Sequence, residues 1–473
     1  MNIAAEPLLQ IIQPDERYVA LLNAQRAFFA TGATRSVDFR IAQIKKLRDA
    51  IRKYDKQLCE ALQADLRKSE FEAYASEIGF VLEEIGHALK HIKSWSKPKT
   101  MFGPLTQFLS FGTVVPQPYG QVLVIAPWNY PVQLTLNPLL GALTAGNTVI
   151  LKPSEITTHT SQVLAKMIGE TFPPEQVAVV EGGIETNQQL LNLPVDYIFF
   201  TGSPKVGKIV AQAAAKHMIP YTLELGGKSP VFIDSDCHLE FTARRLVWGK
   251  FFNNGQTCIA PDYLLVNKSI KDKLVERMKY YLVQFYGSDP KQSPDLSRVV
   301  NDHHYRRLVS YLQDGNILVG GQTDESCKYI APTLLDNVDP NSSVMTDEIF
   351  GPILPILTYE KVEEAIEFVN RRPKPLALYV FTNNKKYEHL VLSNTTSGGG
   401  CVNDVLIHLT HPDMPFGGVG NSGVGRYHGK YSFEAFSHYR SILKRSNLLD
   451  PMLRYSPYKD RIKLIRKLVP SPF

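Results

Sequence analysis

Cysteine is scarce in this chain of 473 residues, with only five, at positions 59, 237, 258, 327 and 401. An odd number without paired spacing argues against a disulfide framework and for a reducing compartment. Long apolar runs are missing too, and none is of a length to span a bilayer. The start, MNIAAEPLLQIIQPDERY, has no basic stretch leading into a long apolar one, so no secretory signal is expected. Over most of the chain there is also no excess of charge of one sign. The net charge is +6, and the last 30 residues, with eight basic and two acidic side chains, account for it. The near-neutral remainder excludes a basic face of the kind that binds nucleic acid. With 44% hydrophobic and 21% charged residues, the composition is that of a globular protein of two or three domains. A neutral cytoplasmic protein with a basic tail fits these exclusions.

What is present first is helical periodicity. LRDAIRKYDKQLCEALQADL and FEAYASEIGFVLEEIGHALKHIKSW place apolar residues three and four apart. After TMFGPL the pattern changes to short β-branched runs: QVLVIA, NTVILKP, QVAVVEGG and DYIFFTGS. Helix-like segments such as LTLNPLLGALTAG and PKVGKIVAQAAAKHM separate them. Strands apolar on both faces, alternating with helices, predict a parallel sheet covered on both sides. A second set of strand-like runs, including SPVFID, YLLV and PILPIL, predicts another α/β domain beginning near Gly226.

Ligands of such sheets sit beyond the carboxyl ends of the strands. Those ends read PWNYP, KPSE, EGG and FTGS, with LELGGK following. PWNYP offers Asn129, an amide donor; KPSE offers Lys152 and Glu155; LELGGK offers Glu224. FTGSPKVGK places Gly202 and Ser203 where a helix N-terminus receives a phosphate. Cys258 sits in NNGQTCIAPDY, a polar setting with Gly255 just ahead, unlike the apolar surroundings of a core thiol. DEIFGP adds Glu348 and Phe350. A nucleophile, a carboxylate, an amide donor and a phosphate cradle together specify a reaction.

The blocks PWNYP, KPSE, FTGS, LELGGK, GQTC and EIFGP, in this order over more than 200 residues, resemble the aldehyde dehydrogenase superfamily. The ending MPFGGVGNSGVGRYHGKYSFEAFSHYRS resembles its class 3 branch, whose members act on medium- and long-chain or aromatic aldehydes. The resemblance implies NAD(P)-dependent oxidation of an aldehyde to a carboxylic acid, with NAD and possibly NADP as cofactor. Cys258 would attack the carbonyl carbon, with Asn129 and the Cys258 backbone N–H holding the oxyanion. Hydride loss would leave a thioester, which water activated by Glu224 would hydrolyse. Glu348 is the rival base, although the family places such a residue on the nicotinamide ribose, with Phe350 beside the ring. Lys152 and Glu155 would hold the adenosine ribose, and Trp128, Gly202, Ser203 and Gly207 complete the expected cofactor-binding set. A CoA-acylating dehydrogenase and a catalytically retired binding protein are the alternatives.

The implied architecture is two doubly wound parallel-sheet domains, a Rossmann-like cofactor domain and a catalytic domain, plus a small oligomerisation hairpin. Expected boundaries are 1–97 and 121–225 for NAD(P) binding, 226–405 for catalysis, and 98–120 with 406–440 for oligomerisation, giving a homodimer. Residues 441–473 are read as a basic amphipathic tail, with Ile462, Leu464, Ile465, Leu468 and Val469 on one side, suited to peripheral membrane contact. No metal site is expected, because HExxH is absent and His87/His91 and His303–His304 read as solvated helix faces. GVGNSG, Gly418–Gly423, lacks a preceding strand and reads as loop geometry. Trp248, Phe251 and Phe252 read equally well as core or as the wall of a substrate tunnel.

Overall fold

The computed structural model describes residues 14–102, 110–448, 450 and 452–468. Parts of the expected cofactor domain (1–13), hairpin (103–109) and tail (449, 451 and 469–473, with Val469) lie outside the described residues. The early helical periodicity produces Glu16–Ala30, Val37–Leu66 and Gly79–Trp95. Ser36 caps the second, its hydroxyl accepting from the Phe39 N–H at 3.3 Å, which satisfies a donor the helix leaves unpaired. Its stripe of Ile44, Leu47, Ile51, Leu58 and Leu62 is fully buried, each such side chain contributing about 1.5–3 kcal/mol. The short helix Glu70–Ala73 and a π-helical turn, Tyr74–Ile78, link the second helix to the third.

The first sheet has six strands in the order Gly423–Val424, Tyr221–Leu225, Tyr197–Gly202, Gln121–Ile125, Thr148–Lys152 and Val177–Val179. All pairs are parallel except the first. Alternate residues of Gln121–Ile125 enter different cores: Val122 and Val124 join one, Leu123 and Ile125 the other. That two-sided burial is why these strands read as unbroken apolar runs. The second sheet has seven strands, ordered Asn316–Val319, Thr333–Asp336, Ile353–Tyr359, Tyr263–Asn267, Pro230–Ile233, Ala377–Phe381 and Gly399–Val402, with only the first pair antiparallel. The fold is therefore α/β with two predominantly parallel sheets, as expected.

A third sheet, antiparallel, joins Lys99–Phe102, Ser110–Pro118 and Ser437–Arg445. Its last strand runs across the expected boundary at 440. The segment 406–440 also does more than bridge, since Gly423 pairs directly with Glu224. GVGNSG thus closes on the first sheet by backbone approach; a Cβ on Gly423 would lie 2.5 Å from the Leu223 carbonyl oxygen.

Candidate active site

The helix Leu239–Phe251 runs into a kink where Asn253, Asn254 and Gly255 all have positive φ, at 50°, 54° and 74°. Asparagine tolerates this region better than most residues. Gly255 has no substitute, since a Cβ there would sit 2.2 Å from the Gly351 carbonyl oxygen. The close approach presses the Cys258 loop against the loop carrying Glu348 and Phe350. Gln256 is anchored three ways: its amide donates to the Asn253 and Arg298 carbonyls, at 3.2 and 2.9 Å, and accepts from the Val300 N–H at 3.0 Å. Thr257 bonds the Tyr130 hydroxyl at 2.7 Å, and the Tyr379 hydroxyl donates to the Ile259 carbonyl at 2.6 Å. In a loop of otherwise buried residues, Cys258 is partly exposed.

It is exposed to a cavity of about 490 Å³ at the carboxyl ends of the strands, lined also by Trp128, Asn129, Glu224, Glu348 and Phe350. Asn129 is buried in the loop after Gln121–Ile125. One N–H of its amide donates to the Gln256 carbonyl at 3.1 Å, which orients the group and leaves a second N–H. Burial pushes the Cys258 thiol well up, helped by the negative Glu348 and Glu224. The thiol therefore keeps its proton until a base removes it.

Glu224 ends the strand Tyr221–Leu225, is 2% exposed, and has no hydrogen-bond partner on either carboxylate oxygen. Burial pushes its carboxyl well above the ordinary range. Glu348 is also pushed well up by burial, with Asp262 adding to it, but the Gly227 N–H, Lys228 and Arg307 oppose the shift. The two loops touch closely: a Cβ on Gly226 would lie 1.9 Å from a Glu348 carboxylate oxygen.

The rest of the cavity has the form of a nucleotide cradle. Gly202 and Ser203 line it where the helix Pro204–Lys216 begins. Ser203 caps that helix, accepting from the Val206 N–H at 3.3 Å, and the helix N-terminus attracts an anion. A Cβ at Gly202 would fall 2.5 Å from the Phe200 ring, and one at Gly207 would fall 2.6 Å from Leu225. Gly207 thus packs the helix onto the sheet rather than lining the cavity. The Phe350 ring stands edge-on to Trp128 at 5.2 Å, on a backbone with φ 53°. Lys152 and Glu155, paired at 2.9 Å, lie outside this cavity. Glu155 borders a neighbouring hollow with Gly183, Ile184, Glu185 and Thr186. The residues present fit a dinucleotide extended from the first strand ends towards Cys258.

Some expectations are corrected. His304 is not on a solvated face: it lines the cavity, 5.1 Å from the Trp128 ring, and burial lowers its pKa to about 4. His91 stacks on Trp95 at 5.7 Å. Phe251 is core, while Trp248 and Phe252 pair with each other at 5.5 Å, and none of the three lines the cavity. Arg307, Asn421 and Tyr427 line it without having been singled out. Each comes from an element remote in sequence, so only the fold reveals them. Tyr427 falls within the ending MPFGGVGNSGVGRYHGKYSFEAFSHYRS, which carries the class 3 resemblance.

A fold of two predominantly parallel sheets whose strand ends bring a cysteine, two carboxylates and an amide to one cavity is that of an oxidoreductase. The chain belongs to the aldehyde dehydrogenase family, whose model matches residues 12–442. It is 49% identical to the 4,4'-diaponeurosporen-aldehyde dehydrogenase of Staphylococcus aureus over 443 residues, 93% of this chain and 96% of that one. It is 47% identical to the dimeric NADP-preferring aldehyde dehydrogenase of Rattus norvegicus, over 91% of this chain and 96% of that one. The substrate-bound structure of Staphylococcus aureus AldH superposes with a TM-score of 0.94 at 48% identity, covering 95% of this chain and 99% of that one. The chain is thus a class 3-like aldehyde dehydrogenase that oxidises aldehydes to carboxylic acids with NAD or NADP.

Proposed function

We propose that Cys258 is the nucleophile, that Asn129 and the Cys258 backbone N–H hold the oxyanion, and that Glu224 is the hydrolytic base. The observation that carries this reading is the meeting of Cys258, Asn129 and Glu224 at one cavity wall. The Cys258 thiol gives up its proton to water as sulfur bonds the carbonyl carbon, and the carbonyl oxygen becomes an anion facing the free N–H of Asn129. Loss of one such donor costs roughly 3–4 kcal/mol. Bound NAD(P)+ supplies the hydride acceptor that takes the chemistry to the acyl level. Glu224 then removes a proton from water as the water bonds the acyl carbon. The carbon–sulfur bond breaks, the carboxylic acid leaves, and the thiol is restored. Trp128, Gly202, Ser203, Glu348 and Phe350, which line one cavity, would hold the nicotinamide and phosphate end of the cofactor, and Lys152 and Glu155 the adenosine ribose. Gly207 acts by packing the cradle helix.

Glu224, with both oxygens unpartnered, favours water over CoA as acyl acceptor. The intact constellation disfavours a retired enzyme. The test follows NAD(P)H absorbance with a long-chain aldehyde, with and without CoA. Wild type turns over without CoA, and Cys258→Ala loses at least roughly 10⁴-fold of the rate while still binding NAD. Near-wild-type turnover by Cys258→Ala would overturn the assignment, and strict CoA dependence would replace hydrolysis by acyl transfer.

The finer reading places medium- or long-chain or aromatic aldehydes in the cavity, supported by its apolar lining of Trp128, Leu134, Met345, Phe416 and Tyr427. Residues 1–97 and 121–225 serve the cofactor, 226–405 carry catalysis, and 98–120 with 406–440 serve a homodimer. The third sheet supports the dimer, because Met101, Phe102, Phe111, Tyr439 and Leu443 are exposed on it. Tail residues Ile462, Leu464 and Ile465 are exposed beside Lys463, Arg466 and Lys467, which supports peripheral contact of a cytoplasmic enzyme with an anionic membrane. Among the described residues no helix is long and apolar enough to cross one.

A further inference from the structure

We propose that Lys68 and Glu77 are positioning residues: their buried ion pair clamps the loop that carries Asn129 and, through Asn253, the loop that carries Cys258. The proposal rests on the assignment of those two residues above. Lys68 and Glu77 have fully buried side chains, paired at 2.5 Å. Two charges so deep in a protein are expensive to bury, and replacing such a pair with apolar residues is often neutral or stabilising. A role beyond stability is therefore worth seeking, and their other partners indicate one.

Lys68 donates to the Asn129 carbonyl at 2.9 Å and lies 4.1 Å from the Tyr130 ring centroid. Glu77 accepts from the Val132 and Gln133 N–H groups at 2.7 and 3.2 Å. Those donors open the helix Gln133–Ala145, where a carboxylate satisfies unpaired N–H groups and meets the positive end of the dipole. The pair thus grips the Asn129 loop from both sides. Asn253 extends the grip. Its side chain donates to the Asn129 carbonyl at 2.9 Å and to the Gln256 carbonyl at 3.1 Å. Its backbone N–H donates to Glu72 at 2.6 Å. Cys258 lies two residues beyond Gln256.

Local geometry explains how one short segment supplies both acids. In a regular α-helix, residues five apart point about 140° away from each other. The π-helical turn Tyr74–Ile78 widens the helix there, so Glu72 and Glu77 both face inward, and such turns recur at functional sites. Gly79 fits this turn tightly, since a Cβ there would lie 2.9 Å from the Tyr74 ring.

The test compares Lys68→Met with the double variant Lys68→Met/Glu77→Gln. Met preserves the apolar stem, and Gln keeps an acceptor for the Val132 and Gln133 N–H groups, so the double variant leaves no uncompensated charge. Expected is a loss of stability in Lys68→Met that the double variant largely recovers, while kcat stays down roughly tenfold to a hundredfold in both. That loss is of the size a small misplacement of an oxyanion donor produces. The KM values for aldehyde and NAD should stay within about twofold, since only the transition-state contact is displaced. Recovery of kcat together with stability would overturn the proposal, as would failure of both variants to fold, because either assigns the pair to folding. Asn129→Ala, measured alongside, isolates the underlying reading: full activity there sinks the role of Asn129 itself, whereas an inactive Asn129→Ala beside a fully active double variant sinks only the clamp.

Discussion

Glu224 and Glu348 flank the same thiol, and burial pushes both carboxyls upward, yet Glu224 is buried while Glu348 is only partly so, and they are held in opposite ways. Glu224 stands at a strand end with neither oxygen hydrogen-bonded. Glu348 sits in a loop fixed by its surroundings: Asp262 accepts the Ile349 N–H at 2.9 Å, Lys228 donates to Asp262 and to the Val344 carbonyl, and Arg307 donates to the Ile349 carbonyl at 2.8 Å. The Gly227 N–H, Lys228 and Arg307 favour the charged form of the Glu348 carboxylate itself. A group with free lone pairs can take a proton from water, whereas a group whose anion is supported by neighbouring cations and an N–H is better placed to orient a ligand. The upward shift alone would leave the two alike; the groups around Glu348 that support its anion separate them.

The largest effect that tests this separation is the loss of the base. Glu224→Gln should lower steady-state kcat roughly a hundredfold, the lower range for a general base, while a burst of NADH near one equivalent per site survives. Stopped-flow absorbance reads both quantities. Disappearance of the burst would make Glu224 the group that deprotonates Cys258 rather than water. In wild type the deacylation rate should climb as pH rises, because the raised carboxyl becomes a base only on losing its proton. The Gln variant should flatten that climb.

Glu348→Gln should cost less. The amide keeps the shape and an acceptor oxygen, so what is lost is of the order of one hydrogen bond to bound cofactor, roughly tenfold at most. The loss should appear in the KM for NAD(P) more than in deacylation. A severe deacylation defect here, beside a mild one in Glu224→Gln, would exchange the two roles.

The difference between these carboxylates was only half legible in the sequence. LELGGK and EIFGP located them, and the alternation of apolar strands with helices placed LELGGK at a strand end. Nothing local could say which would be hydrogen-bonded, because the partners of Glu348 come from positions 227, 228, 262 and 307. The same limit hid His304 and Tyr427, which reach the cavity from other elements. It also hid Lys68 and Glu77, polar residues just beyond the helix Val37–Leu66 and within the turn Tyr74–Ile78. Their partners lie about 55 to 61 residues away, and a period of 3.6 carries no record of a contact at that distance. The positive φ at Asn253, Asn254 and Phe350 was hidden for a related reason: no glycine marked those positions, and the close approach that selects the conformation is made by Gly255 and Gly351.

The smallest expected effect is on stability, and it ranks the two carboxylates without using the reaction at all. Each has its folded pKa raised above an ordinary value of 4.5. Between the ordinary and the raised value, the native protein holds a proton that the unfolded chain has already released. Stability from such a group is fully present below the ordinary value and is lost as pH rises through the folded one. Glutamine has no proton to lose, so Glu224→Gln should gain Tm relative to wild type as pH is raised from 5 to 8. A change of about 2 °C is the scale set by roughly 1 kcal/mol in a large domain. Glu348→Gln should gain less, because the Gly227 N–H, Lys228 and Arg307 already support the Glu348 anion. Calorimetry of the three proteins at both pH values makes the comparison. An equal gain for the two variants would mean that the groups supporting the Glu348 anion do not distinguish it from Glu224. No gain for Glu224→Gln would mean that its carboxylate finds a partner or water that keeps it charged at little cost.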